Sequence, residues 1–207
     1  PIDMDLTGVV YNVNVLNEAG VDVDDLKTWD DFDAACEKVK AIGKTPIQIG
    51  GKDSYTFGNL LDFLAPTFIS NEDEANQQAL LDGSFDWSKW NVVVDKVAGW
   101  NEAGYFNKDA VTADFMTGVK AMAAEKSAFM FHSASAISEM YVQNPDTEVG
   151  FMPLPAREAG LKTSLMTGEH FAIGMSKTTE HPEEVKKFME FMAREDICGR
   201  LATKCGM

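Results

Sequence analysis

Phe32, Ala35, Cys36 and Val39 recur at the spacing of one helix face. Thr28 stands ahead of them, where its side chain can accept a free amide, and Asp30 and Asp31 suit the positive end of the helix dipole. The pattern predicts a helix from 28 to about 42, ended by Gly43, then a strand over 46–49 stopped by Gly50-Gly51. Further helices are expected over 57–69, over 91–103 with Val93, Val97 and Trp100 on one stripe and Gly104 at its end, and over 114–124 through Phe115, Val119 and Met122. Three apolar runs, 128–131, 149–152 and 171–175, read as strands. Between the first two, Ser133 or Ser135 can cap a helix carrying Ile137, Met140 and Tyr141. A last helix starts at Pro182, with Glu183 and Glu184 in its first turn and Val185, Phe188, Met189 and Met192 on one face. The stretch from Pro153 to Thr163 is expected as a long surface loop or linker. Helices and strands alternate, so the expected class is α/β, helix-rich with a small sheet.

Composition narrows the partners. The 207 residues carry 33 acidic and 18 basic side chains, a formal charge of −15, with 45% hydrophobic residues. That is a globular chain with an acidic surface, which repels nucleic-acid phosphates and anionic membranes. No apolar run approaches the roughly 20 residues that span a bilayer, and no leader-like segment opens the chain. The chain begins at Pro1 without an initiator Met, so it is expected to be a piece of a longer precursor. Cys36, Cys198 and Cys205 allow at most one disulfide and match no zinc spacing, so they leave the redox compartment open.

Catalytic motifs are sparse. Asp3-Met4-Asp5-Leu6-Thr7 matches the DxDxT string of haloacid-dehalogenase-type phosphatases, in which the first Asp attacks phosphorus and the second works as acid and base. A magnesium-dependent phosphohydrolase is therefore the alternative reading, although only two residues precede Asp3 and no later acidic pair stands ready for the metal. His132, Glu169 and His170 have no metal-ligand spacing, Gly50-Gly51-Lys52 is not a P-loop, and no Gly-x-Ser-x-Gly elbow occurs. No metal or cofactor is expected. Polar and aromatic side chains instead gather at element ends: Tyr55, Phe57 and Asn59 after the first strand, His132, Ser133 and Ser135 after the second, Glu169 and His170 before the last. Strand ends are where α/β sheets hold ligands. Aromatic faces stack on sugar CH faces while Ser, Asn, His and Glu exchange hydrogen bonds with hydroxyls, so the set suits a neutral sugar or polyol. Tyr55 and Phe57 would serve equally well as core packing.

Several segments, in order, resemble the extracellular solute-binding proteins of ABC importers, in the carbohydrate-binding family that includes maltose-binding protein. Val10-Tyr11-Asn12 with Leu16 and Ala19-Gly20, Thr28-Trp29-Asp30-Asp31-Phe32, and Gly104-Tyr105-Phe106 are three of them. Phe115 and Gly118 with Lys126 to Phe131, Val149-Gly150-Phe151-Met152-Pro153-Leu154-Pro155, and Phe171-Ala172-Ile173 with Lys177, His181-Pro182 and Phe188 complete the series.

The resemblance implies two α/β lobes joined by a hinge that close on a ligand and dock on a permease, without enzymatic activity. Residues 1–165 resemble most of the C-terminal lobe, and residues 166–207 the strand and helix returning toward an N-terminal lobe that is mostly absent. It also implies a lipoprotein on the outer side of the cell membrane or a periplasmic protein, with a mono- or oligosaccharide as the ligand. Ser135 stands where many sugar binders of this family carry a stacking Trp, so aromatic contact must come from elsewhere. With no partner lobe, Phe188, Met189 and Met192 are expected to be exposed or to be covered by the C-lobe or a second copy, which makes self-association of the fragment one expected outcome.

Overall fold

In the computed structural model, which describes residues 4–70, 73–169 and 172–205, Val9 and Val10 are sequence neighbours on one strand and neither is exposed. Adjacent strand side chains point to opposite faces, so both faces of that strand, β1 (Met4–Asn12), are covered. There follow α1 (Val13–Glu18), α2 (Trp29–Ala41), β2 (Thr45–Ile47), α3 (Tyr55–Ala65), α4 (Glu74–Asp82), α5 (Asn91–Glu102) and α6 (Phe115–Ala123). The chain continues through β3 (Ser127–Ser133), α7 (Ala136–Gln143), β4 (Val149–Met152), β5 (Met166–Glu169), α8 (Pro182–Met192) and α9 (Glu195–Cys205). It divides into two compact units, Thr7–Met166 and the combination of Pro1–Leu6 with Thr167–Met207.

The larger unit is built on a mixed sheet of order β2-β3-β1-β4. β3 runs antiparallel to β1, with Val9 opposite Phe131 and Val10 opposite Met130, and parallel to β2, with Thr45 beside Ser127. β4 closes the other edge antiparallel to β1. Val9, Phe129 and Phe131 pack on one side with Leu16, Trp29, Phe32, Leu60, Leu64 and Trp100 from the helices. Val10 and Met130 pack on the other side with Val119 and Met122 of α6 and Met140 of α7. The result is helix, sheet, helix, with a central strand apolar on both faces.

Local chemistry explains the helix starts. At α2, Thr28 Oγ1 accepts the Asp31 amide (3.2 Å), and Asp31 Oδ2 accepts the Thr28 amide (2.8 Å) and hydroxyl (2.7 Å). Thr28→Ala is expected to cost about 1 kcal/mol, measured by urea denaturation at pH 7. The hydrogen bonds from Thr28 hold the Asp31 carboxyl below its ordinary value. A depressed folded-state value stabilises above the ordinary carboxylate range and is lost as pH falls through the native value, so the gap between the two proteins should close in acid. A gap that stays constant down to about pH 3 would contradict this cap. Asn12 caps α1 by accepting the Val15 amide (3.0 Å) and, fully buried, donates to the Met122 carbonyl of α6 (3.0 Å). Gly43 and Gly104 follow α2 and α5 with φ of 78° and 71°, the left-handed conformation that ends helices.

One sequence expectation is corrected, one strand is found that the pattern does not predict, and one loop is better anchored than expected. Residues 4–12 show no bounded apolar run, yet they form the central strand, because only its middle is covered on both faces, at Val9 and Val10, while Leu6 is exposed and Asp5, Thr7 and Tyr11 are half-buried. The expected strand at 171–175 is absent over 172–175, Phe171 lies outside the described residues, and the strand of this region is β5, paired with β1. The expected surface loop at 153–163 is a loop, exposed over 157–160 and at 162 and 163, but its start is anchored rather than a free linker. Leu154 and Ala156 are buried, Leu154 exchanges two backbone bonds with Ser164 (2.7 and 2.9 Å), and Ala156 bonds with Lys27 (2.8 Å) and Trp29 (3.1 Å).

In the smaller unit, Pro182 opens α8 with Glu183 and Glu184 in the first turn, as the sequence predicts. None of the helix's residues is buried, and Phe188 and Phe191 are exposed.

Candidate functional site

The site forms where β2 and β3, parallel neighbours, deliver the chain at their C-terminal ends. After β2 the chain turns through Gly50 and Gly51 against the segment that leads into α6. The Gly51 amide donates to the Ala110 carbonyl (2.7 Å) and the Lys52 amide to the Ala113 carbonyl (3.0 Å). A β-carbon on Gly50 would sit 2.7 Å from the Phe115 nitrogen and 2.8 Å from the Asp114 oxygen, so only glycine allows this approach. The approach lets Asp53 Oδ2 accept the Phe115 amide (2.8 Å), at the first residue of α6. Asp114 caps the same helix by accepting the Thr117 amide (2.8 Å).

Three rings converge there. Phe115 stacks on His132 with centroids 4.5 Å apart and an interplanar angle of 24°. Tyr55, at the start of α3, meets His132 edge-on at 6.3 Å and Phe115 at 6.4 Å. Tyr55 is 48% exposed and His132 half-buried, so the group presents both a packed base and an open ring. Burial, and then the Asp53 charge, push the Tyr55 phenol above its ordinary value, so it remains a protonated donor at neutral pH.

Beyond His132, Ser133 and Ser135 join hydroxyls at 2.8 Å, and Ser133 Oγ accepts the Ser135 amide (3.1 Å). Ser135 occupies the N-cap of α7 without a capping bond from its side chain, so its hydroxyl serves Ser133 rather than the helix.

The structure therefore brings Tyr55, His132, Ser133 and Ser135 to one strand edge. Phe57 packs on the main core and its ring lies against Gly51. Asn59 is half-buried, one turn along α3. Glu169 ends β5 in the smaller unit, but its side chain, and all of His170, lie outside the described residues. So does Asp3 of the DxDxT string, while Asp5 falls within β1.

Sequence reasoning missed Phe115 and Asp53. The apolar periodicity puts Phe115 on a helix stripe. The signal was Asp114 before it, which as N-cap puts Phe115 in the first turn, at the end of α6 that faces the strand ends.

The chain is similar to curated sugar-binding proteins. It is 29% identical over 198 residues to the melibiose/raffinose/stachyose-binding protein MelE of Bacillus subtilis, covering 94% of this chain and 46% of that one. It is 24% identical over 213 residues to the multiple sugar-binding protein of Streptococcus mutans, covering 93% and 46%. The chain thus spans about half the length of these relatives. Among solved structures, a sugar transporter protein of Bacillus licheniformis in complex with stachyose superposes with a TM-score of 0.87 at 30% identity, covering 98% of this chain and 53% of that one. A sequence family described as bacterial extracellular solute-binding protein matches residues 1–197. With its helix-rich architecture around a small mixed sheet, the chain belongs to the bacterial extracellular solute-binding protein family.

Proposed function

We propose that this chain is the greater part of the C-terminal lobe, residues 1–165, and the returning segment, residues 166–207, of the sugar-capturing component of an ABC importer. It works outside the cytoplasmic membrane, as a lipoprotein or in the periplasm, without catalysing a reaction, and hands an oligosaccharide to permease subunits. The observation that carries the reading is the Tyr55, Phe115 and His132 ring group beside the Ser133 and Ser135 hydroxyls. An exposed ring offers a face to sugar CH groups, and neighbouring hydroxyls trade hydrogen bonds with sugar hydroxyls. Ser135 leaves the lobe without a Trp at that position, and Tyr55 on its Phe115 and His132 support supplies aromatic surface in its place. Asn59, Phe57, Glu169 and His170 complete the proposed ligand set, with Phe57 acting through its packing. The names of the relatives point to the galactosyl oligosaccharides melibiose, raffinose and stachyose as the ligand class. Those relatives lend the phosphohydrolase alternative no support. The α8 face, with Phe188 exposed and Met189 and Met192 half-buried, would drive self-association where no other surface covers it.

Titration calorimetry of the full-length protein with raffinose and stachyose tests the reading. Tyr55→Ala and His132→Ala should each weaken binding about tenfold, with little change in the melting temperature of the unliganded protein. Binding unaltered in both variants, or no binding of any sugar in a broad panel, would remove the proposed site.

A further inference from the structure

Past the last residue of β2, a side chain stands in for a strand partner. Phe106 runs parallel beside Ile47, whose amide donates to the Tyr105 carbonyl (2.9 Å). The next rung of a parallel ladder would join Ile49 to the backbone of residues 107 and 109. Instead Asn107 Oδ1 accepts the Ile49 amide (2.8 Å), and Asn107 Nδ2 donates to the Ile49 carbonyl (3.0 Å). The Asn107 carbonyl accepts the Ala110 amide (3.0 Å), so the backbone turns away at the point where the carboxamide carries the pairing on.

Only a carboxamide answers both groups of Ile49 at this length. Ile49 presents one donor and one acceptor, and buried backbone groups of that kind must be paired. Asp109 Oδ1 accepts from the same Asn107 Nδ2 (2.7 Å), which fixes the direction of the carboxamide: reversed, its oxygen would face two acceptors. Asn107 is buried, so a lost partner would leave a desolvated group rather than one rehydrated at the surface.

The loop pinned in this way is the one that delivers Phe115. Its Ala110 and Ala113 carbonyls accept the Gly51 and Lys52 amides (2.7 and 3.0 Å), and Asp53 Oδ2 accepts the Phe115 amide (2.8 Å) where the loop enters α6. Asp53 thus holds the far end of the loop and Asn107 the near end. We infer that Asn107 is a positioning residue of the ring group, one that sets where Phe115 stands beneath His132 and, through Phe115, how the ring group receives a ligand. Its effect on affinity rests on the sugar-binding reading, whereas its effect on the rings does not.

Both effects are read in the full-length protein. Without sugar, nuclear magnetic resonance reports the stack, because the Phe115 ring current displaces the His132 CH signals, which His132→Gln identifies by their absence. Asn107→Asp keeps the shape and the acceptor for the Ile49 amide but turns an oxygen toward the Ile49 carbonyl and the Asp109 carboxylate. The ring-current displacement should be largely lost, and raffinose affinity should fall about tenfold by calorimetry. Because Asn107 acts through Phe115, the same substitution in a Phe115→Ala background should cost less than about twofold more, whereas a general loss of stability would add in full. Asp109→Ala removes one exposed partner and keeps both bonds to Ile49, so it should move the His132 signals in the same direction by less. It serves as the folded variant if Asn107→Asp does not hold its circular dichroism spectrum. His132 signals unmoved in the folded variants, or additive losses in the cycle, overturn the inference. If the natural protein binds no sugar, the sugar reading falls and the His132 signals alone decide: moved by the substitutions, they support the role of Asn107, and unmoved, they refute it.

Discussion

Trp29→Ala should lower the stability of the larger unit by about 3–5 kcal/mol, a fall of roughly 6–20 °C in melting temperature for a chain of this size. Trp29 is 1% exposed and touches rings on four sides: Phe32 at 5.6 Å, Trp100 at 5.7 Å, Phe68 at 5.9 Å and Phe131 at 6.1 Å. Those partners come from α2, α5, β3 and the turn after α3, so the vacated volume cannot close by shifting one helix. The indole Nε1 also donates to Thr67 Oγ1 (3.0 Å), whose own hydroxyl donates to the Leu64 carbonyl (2.9 Å). Trp29→Phe keeps most of the ring and forfeits that bond, so a smaller loss is expected, on the order of 1 kcal/mol for the hydrogen bond. Equal losses in the two variants, or a loss below about 1 kcal/mol for alanine, would mean the packing around Trp29 is not what stabilises the unit.

Gly50→Ala should damage stability and sugar binding together. The added methyl group meets the Phe115 nitrogen and Asp114 backbone rather than a flexible side chain, so α6 must move. Overpacking of this kind costs about 1–3 kcal/mol. Moving α6 also breaks the Asp53 bond to the Phe115 amide and withdraws Phe115 from under His132, which should reduce raffinose affinity in the full-length protein by about tenfold or more. Gly58→Ala is the contrast: nothing lies within 4 Å of the added carbon, and the residue is inside α3, so a gain of about 0.5–1 kcal/mol with unchanged affinity is expected. If Gly50→Ala binds raffinose as tightly as the natural chain, the ring group is not held by this turn.

The resemblance to solute-binding proteins was readable because its segments encode structural positions. Thr28 to Phe32 is a capping box, Thr28 with Asp31, interleaved with two residues of the central aromatic cluster, Trp29 and Phe32. Asn12 is placed by two bonds that the sequence does not display, one to its own helix and one to α6, 110 residues away. The strand-end polar set was legible for Tyr55, His132, Ser133 and Ser135, since short strands followed by helices deliver side chains to one edge whatever the long-range pairing. The convergence on Phe115 was not, because it depends on Gly50 admitting a distant backbone and on Asp53 accepting its amide across 62 residues.

What the sequence by itself determined is local: helix starts at Thr28, Asp114 and Pro182, helix ends at Gly43 and Gly104, the apolar runs of β3 and β4, and the class of side chain waiting at the strand ends. These follow from backbone sterics, capping bonds and periodicity within a few residues, which act before any distant contact forms. Tertiary structure alone decided that residues 4–12 become the central strand, that the strand near the end is 166–169, and that the segment from Pro153 is anchored. Strand pairing is satisfied by whichever backbone lies alongside, and burial on both faces is set by layers drawn from the whole chain. Neither quantity exists until the chain has folded.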